Sequence, residues 1–297
     1  MDDIIDLLPK IRGSYRANVN LAKVNWFGIG GEAQILFKPE DLDDLAFFLQ
    51  NKPKNIDVNI IGVGSNLLVR DEGVKGVVIK LGRSFTSHKI IGDTIWVGAA
   101  CLDYNLAMIA KEHSIGGFEF FSGIPGTIGG ALAMNAGAYG SDTSSILISA
   151  DLLDDRGNIH HMSKEEIGFS YRSNNLAKGW IFTAALFQGF PSSRDLIEAK
   201  ISEISHNRET TQPIKTKTTG SFFANPPGMK AWQLIDQAGC RGMAEGDAIS
   251  SEKHCNFIIN RGNAKAKDIE NLARKIQQKV LDSSGITLKW EVKTIGK

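Results

Sequence analysis

In the stretch TTGSFFANPPG, Thr218 to Gly228, Ser221 follows a glycine and precedes two phenylalanines. A serine so placed either shapes a turn or offers its hydroxyl proton to a carbon that becomes anionic. It lacks the GxSxG setting of a hydrolytic nucleophile, and no histidine stands near it in sequence. FSYRSNN, Phe169 to Asn175, sets Arg172 among aromatic and polar neighbours. Such an arginine is either solvated or stabilises negative charge developing on a carboxylate or enolate. LKWEVKTIG, near the carboxyl terminus, puts Glu291 on the opposite strand face from Trp290 and Val292. Facing inward, that glutamate acquires the raised pKa of an acid or base; facing outward, it is an ordinary exposed position. The six histidines show no HxH, HxxxH or Cys/His clustering, so no metal site is expected.

Three glycine-rich segments accompany these residues: GIGG (Gly28 to Gly31), GVGSNLL (Gly62 to Leu68) and SGIPGTIGGALAMNAGAYG (Ser122 to Gly140). Glycine permits positive φ and lets a bulky ligand approach the backbone, and consecutive amides in such turns form a nest for phosphate oxygens. Neither short segment matches GxGxxG or the Walker lysine motif, and each alone reads as a tight turn. Together they point to a phosphate-bearing cofactor. In the long run, amides around Thr127 and its hydroxyl can meet a pyrophosphate, and Asn135 can bond a heterocycle or sugar edge. A small-residue packing seam between sheets is the other reading. The uncharged run from Phe120 to Ser141 is long enough to cross a bilayer. Pro125, Asn135 and six glycines speak against a continuous lipid-facing helix.

The elements that must position these residues follow from periodicity. PEDLDDLAFFLQ starts a helix with Leu42, Leu45, Ala46 and Leu49 on one face, and LDYNLAMIAKEHS reads as another. VNIIGVGSNLLV is a strand, a glycine turn and further apolar residues; GVVIKL, DTIWVGAA and WIFTAALFQG are strands. SILISADLLDDRGNIHHM is a hairpin turning at Asp155 to Asn158. PSSRDLIEAKISEISHNRE is a helix capped by Ser192 or Ser193. In NAKAKDIENLARKIQQKVLDSSG a helix carries the core stripe Ile269, Leu272, Ala273, Ile276 and Val280 and stops at Gly285. ITLKWEVKTIG is a closing strand, and MDDIIDLLPK a short docking helix rather than a signal peptide. Strands and helices mix without regular βαβ alternation, which makes the chain α+β.

The totals fit this reading. The chain has 297 residues, enough for about two domains. A 42% hydrophobic and 23% charged composition supports a substantial core. A formal charge of +1 offers no basic field for nucleic acid or anionic lipid. Three cysteines without a CxxC pair suit a reducing cytoplasm better than a disulfide scaffold. Hairpins give way to helices near Pro191, which sets the expected domain boundary.

In order and spacing, NWFGIGG, GVGSNLLVRDEGVKGVVIKL, GIPGTIGGALAMNAGAYG, YRSN, GSFFANP and EVKTIG resemble one family nearly end to end. It is the UDP-N-acetylenolpyruvoylglucosamine reductase (MurB) family of peptidoglycan precursor synthesis, and the overall length resembles its type II branch. The resemblance implies an FAD-binding domain of the vanillyl-alcohol-oxidase (PCMH) type over residues 1–190, in two α+β subdomains of about 1–80 and 81–190. It implies a smaller α+β substrate-binding domain over 191–297, with the last strand, about 286–297, returning to the flavin side. FAD would be held non-covalently by Gly62, Gly64, Ser65, Asn66 and Leu67, by Gly123, Pro125, Gly126, Thr127, Gly129 and Gly130, and by Asn135, Ala136 and Gly137. NADPH would reduce it, and the enolpyruvyl ether of the UDP-sugar would then accept hydride. Ser221 would be the proton donor, with Arg172 and Glu291 polarising the substrate carboxylate.

Asn225 and Tyr171 match substrate-binding positions. The sequence departs from the family pattern at Ala224, at Thr211-Gln212-Pro213 and at Lys289. Phosphate contacts therefore fall to Arg208, Lys215 or Lys217, of which Lys215 is counted among the substrate-binding residues. The same resemblance implies a cytoplasmic monomer that uses small-molecule partners, with no nucleic acid and no membrane. Two alternatives stand beside it: a flavin-dependent carbohydrate oxidase of the same superfold, or a flavin- or nucleotide-binding protein without catalysis. The first would tether flavin covalently, often through histidine, and the glycine-rich blocks contain none. The second would need no Ser221, Arg172 and Glu291 together.

Overall fold

Apolar periodicity decides where this chain buries itself. In the computed structural model, which describes residues 4–297, it does so in two compact units, each built from separate stretches of sequence. The first takes residues up to Ala17, Ile35–Gly62 and Gly76–His206. The second takes Asn18–Gln34, Val63–Lys75 and Asn207–Lys297.

In the first unit, Asp41 caps the helix Leu42–Asn51 by accepting from the Asp44 amide at 3.0 Å. That helix lays Leu45, Phe48 and Leu49 on Ile35, Phe37, Val77 and Ile79. The sheet beneath runs in the order Ser14–Asn20, Glu32–Lys38, Val74–Lys80, Val58–Ile61. Its last two strands are parallel, with Ile61 opposite Lys80. A second, antiparallel sheet runs in the order Ile159–Ser163, Leu147–Leu153, Ile181–Gln188, Thr94–Gly98, His88–Ile91. Its hairpin turns where expected, on Asp154, whose carboxylate accepts from the Arg156 and Asn158 amides.

The helix Asp103–Glu112 buries Asp103, Leu106, Ala107 and Ala110, the i, i+3, i+4, i+7 face. A carboxyl group thus occupies a position that the pattern reserves for apolar residues.

In the second unit, Lys217–Ser221, Phe257–Asn260, Ala248–Ser250 and Ala244–Glu245 form an antiparallel sheet in that order. The helix Ala266–Ser284 buries the stripe read from sequence, Ile269, Leu272, Ala273, Ile276 and Val280. It stops at Gly285 with φ +72°. The Asp71 carboxylate accepts from the Ala266 and Lys267 amides at 2.9 and 3.1 Å, which suits an anion at a helix start. The strand Lys293–Ile295 pairs in parallel with Leu67–Val69, the strand that follows the Gly62–Asn66 turn.

Three local expectations change. The long glycine run contains a helix, Ile128–Met134, with Thr127 at its N-cap and Asn135 as a left-handed C-cap at φ +41°. The closing strand shrinks to Lys293–Ile295, preceded by a single bridge between Trp290 and Phe223. Pro191 lies inside the first unit, not between two: Phe190 and Pro191 pair with Gly116 and Ile115, and Ile197 and Ile204 of the following helix are buried. Sequence composition registers the change of element type there but not the pairing that holds it. Among the described residues no helix is long and apolar enough to cross a membrane, no group could hold a metal ion, and all three cysteines are free and buried.

Asp103 is fully buried, and neither of its carboxyl oxygens has a hydrogen-bond partner. Burial pushes its pKa well above the ordinary 3.8. A carboxyl whose folded pKa is raised holds its proton more tightly in the native state. Its contribution is therefore fully present at low pH and is lost as pH rises above the unfolded pKa. Asp103→Asn, which mimics the protonated form, is expected to gain stability over the parent as pH rises. The slope is up to about 1.4 kcal/mol per pH unit within the titration window. Urea unfolding of both proteins across pH 5 to 8 measures it, and parallel curves would refute a protonated Asp103.

Candidate functional site

The residues singled out from sequence fall into both units, and each set is described within its own. In the first, Gly62 follows the strand Val58–Ile61, and a Cβ there would stand 2.6 Å from the Thr127 hydroxyl oxygen. Only glycine allows the two segments to approach this closely. Thr127 is buried and bridges Leu102, while the Gly126 carbonyl accepts from the Asp103 amide at 3.2 Å. Two amides at the start of the Ile128–Met134 helix are already engaged: Ile128 donates to Cys101 and Gly129 to Ala99, at 3.0 and 2.8 Å. Gly129 thus contributes small size rather than a donor, whereas Gly130 lies exposed. The structure also brings Lys80, which sequence reading had not named, to Gly62: its Nζ donates to the Gly62 carbonyl at 3.0 Å. A close-approach glycine and a hydroxyl at one corner leave the backbone room that an anionic diphosphate needs. The residues present therefore fit an FAD pyrophosphate.

Beyond the helix, Asn135 is buried in the left-handed conformation, and both ends of its side-chain amide are bonded. Its Nδ2 donates to the Ser170 carbonyl at 3.1 Å, and its Oδ1 accepts from the Ser144 amide at 3.0 Å. Arg172 is also left-handed, at φ +56°. Its guanidinium donates to the carbonyls of Asn135 and Gly137 at 3.3 and 2.8 Å, and its Cζ lies 5.1 Å from the centre of the exposed Tyr171 ring. A bridge between Ser170 and Ser173 closes the turn that carries both residues. Non-glycine residues in this region cost energy and persist where surrounding bonds hold them, a pattern that concentrates at functional sites. Asn135, Ala136, Gly137, Tyr171 and Arg172 are thus one local assembly.

In the second unit, Ser221 ends the strand Lys217–Ser221 just after a bulge, with Gly220 at φ +80°. A bulge re-aims the next side chain. The Ser221 hydroxyl is half-buried and has no hydrogen-bond partner among the described residues, so its proton is free to give. Glu291 is tied to the same place by backbone: its amide donates to the Phe222 carbonyl at 2.9 Å, and the Ala224 amide donates to the Lys289 carbonyl at 2.9 Å. Asn66 completes the clamp. Its Nδ2 donates to the Glu291 carbonyl at 3.2 Å, and its own carbonyl accepts from the Lys293 amide at 3.1 Å. The Asn66 side chain, read from sequence as a cofactor contact, is therefore engaged by the terminal segment. Gly64 and Leu67 flank it, Gly64 packed on Asn25 and Leu67 paired with Lys293.

Asn225 accepts from the Ala231 amide at 2.9 Å at the start of the helix Ala231–Gln237, and its Nδ2 has no protein acceptor. Lys215 is exposed and left-handed at φ +63°. An open cleft of about 550 Å³ in the first unit, lined by Arg12, Lys38, Glu40 and Arg83 among others, holds none of the residues read from sequence.

Asn256 carried no signal in the sequence, because one asparagine among loop residues looks like any other. It is buried, and its side chain brackets Phe223, accepting from the Phe223 amide at 2.9 Å and donating to the Phe223 carbonyl at 2.8 Å. Its backbone carbonyl accepts from the Phe222 amide at 2.7 Å. Asn256→Ala leaves a buried donor and acceptor unpaired, at an expected cost of about 2–4 kcal/mol in urea unfolding. Loss below about 0.5 kcal/mol would show that the bracket does not hold the segment after Ser221.

Comparison with known proteins agrees with this geometry. A family model described as UDP-N-acetylenolpyruvoylglucosamine reductase, C-terminal domain, matches residues 212–295, and one described as FAD binding domain matches 33–163. The UDP-N-acetylenolpyruvoylglucosamine reductase of Paramagnetospirillum magneticum is 49% identical, over 98% of this chain and 95% of that protein. That of Beijerinckia indica is 51% identical over 98% and 94%, and that of Rickettsia rickettsii 49% over 98% and 99%. The crystal structure of UDP-N-acetylenolpyruvylglucosamine reductase from Thermus caldophilus superposes with a TM-score of 0.84 at 33% identity, covering 97% of this chain and all of that one. The α+β class, with an FAD-binding domain of the vanillyl-alcohol-oxidase type and a smaller carboxyl-terminal domain, follows from these matches. With half its residues shared with these reductases along nearly its whole length, the chain belongs to the UDP-N-acetylenolpyruvoylglucosamine reductase family.

Proposed function

We infer that this chain is an NADPH-dependent flavoenzyme. It reduces the enolpyruvyl group of UDP-N-acetylglucosamine enolpyruvate to give UDP-N-acetylmuramate for peptidoglycan synthesis. Near-complete coverage of named reductases at about half identity carries the reading. Non-covalent FAD, when bound, would supply the hydride chemistry that links NADPH to the enolpyruvyl double bond.

The chain's own residues have separate tasks. Gly62, Thr127, Gly130 and the Gly123–Gly126 turn hold the cofactor, with Asn135 supporting the wall of that unit. Ser221 Oγ gives its proton to the carbon next to the one that receives hydride. Its lack of a protein acceptor suits that task. Arg172 and Glu291 meet negative charge that builds on the substrate carboxylate. Arg172 is positioned by two backbone carbonyls, and Glu291 by the Phe222 carbonyl and the Asn66 amide. Asn225, Tyr171 and Lys215 are assigned to substrate, Asn225 through its uncommitted Nδ2. We also assign cofactor binding to the amino-terminal two-thirds and substrate binding to the remainder, and take the enzyme to be a cytoplasmic monomer; light scattering checks the last point.

The carbohydrate-oxidase alternative predicts flavin that stays on the precipitate after heat denaturation, whereas this reading predicts yellow supernatant. NADPH oxidation that depends on the enolpyruvyl sugar nucleotide tests the activity itself. Ser221→Ala should leave NADPH bleaching of the flavin intact and slow the step with the sugar nucleotide by about a hundredfold to ten-thousandfold. Glu291→Ala should cost about a hundredfold to a thousandfold in the same step. Full turnover by Ser221→Ala would overturn the mechanism while leaving the activity in place.

A further inference from the structure

Lys80 is an ammonium group without an anion. It ends the strand Val74–Lys80, directly across from Ile61, and is half-buried. Its one hydrogen bond goes to the Gly62 carbonyl at 3.0 Å, and it makes no ion pair among the described residues. The charge that acts on it is another cation: Lys38 ends the adjoining strand Glu32–Lys38. Burial first, and Lys38 second, push the Lys80 pKa down. A desolvated cation beside a like charge destabilises a fold unless something anionic joins it. Sheet packing alone does not need it, since an apolar side chain at this strand end would serve as well.

What surrounds it indicates the anion. The Gly62 carbonyl leaves two of the three N–H bonds of the ammonium unspent. Gly62 is the glycine whose Cβ would strike the Thr127 hydroxyl. Both Gly62 and Lys80 lie within the stretch matched by the FAD binding domain model, residues 33–163.

We propose that Lys80 is the charge partner of the FAD pyrophosphate, reaching it from the end of its strand beside the Gly62 turn. This rests on the flavoenzyme reading above. It adds a cation to a site otherwise made of amides, hydroxyls and glycine space, and it accounts for a charged residue at a strand end where sheet packing needs none. UDP also carries a diphosphate, and the experiment separates the two sources.

The test is FAD binding to the full chain, followed by flavin fluorescence, in the parent, Lys80→Met and Lys80→Arg. Methionine keeps the apolar stem and removes the charge. Loss of one charge-assisted contact should weaken FAD binding by about tenfold to a hundredfold. Riboflavin, which has no phosphate, should bind all three proteins alike, and Lys80→Arg should recover most of the FAD affinity. Without flavin, Lys80→Met should unfold at the same temperature as the parent or higher. Unchanged FAD affinity, an equal loss for riboflavin, or a loss confined to UDP would each overturn the assignment to Lys80. Failure of the parent to take up FAD would instead overturn the flavoenzyme reading.

Discussion

The second unit is closed by a short backbone pairing, in which the Glu291 amide donates to the Phe222 carbonyl and the Ala224 amide to the Lys289 carbonyl, each at 2.9 Å. It lays the carboxyl-terminal segment beside the residues that follow Ser221. With it, Trp290 stands edge-on to Phe222 with ring centres 5.2 Å apart, and its indole nitrogen donates to Gln277 of the long helix at 2.9 Å. Val292 and Leu288 enter the same core as Phe222, Phe223 and Ile276. A hydroxyl and a carboxylate separated by seventy positions in sequence are thereby carried on neighbouring backbones. Side-chain chemistry depends here on main-chain pairing, which holds position more rigidly than long side chains do.

Around that bond the structure spends its buried polar groups on position. Asn256 brackets Phe223, and Asn66 holds the Glu291 carbonyl. In the first unit Asn135 bonds Ser170 and Ser144 while Arg172 donates back to the Asn135 and Gly137 carbonyls. Two left-handed residues meet here: Asn135, as the cap of its helix, and Arg172, whose guanidinium donates to the Asn135 carbonyl. The strain is local, and the reciprocal bonds are what offset it.

Two charged residues depart from the ordinary rules of burial in the first unit. Asp103 sits on the apolar face of its helix with no partner, and its amide donates to Gly126. Lys80 sits half-buried beside a second lysine, and its ammonium donates to Gly62. Departures from burial rules of this kind mark places where function outweighs stability.

Elements with strong periodicity were legible from residues alone. The Ile269–Val280 stripe, the hairpin at Asp155 to Asn158 and the stop at Gly285 lie where the pattern put them, because burial of one face is a local, repeating demand. The glycine run was legible as close backbone approach but not as a helix, since glycine and alanine carry no apolar period, and Thr127 and Asn135 had to supply the caps. The roles proposed for Ser221, Arg172 and Glu291 rest on residue type and block order. Tertiary structure alone decided that Phe190–Pro191 pairs with Ile115–Gly116, that Asn66 binds Glu291, that Asn256 braces Phe223 and that Lys80 meets Gly62. Each joins residues distant in sequence through a single polar contact or a short register. A lone hydrogen bond leaves no period for a sequence to display.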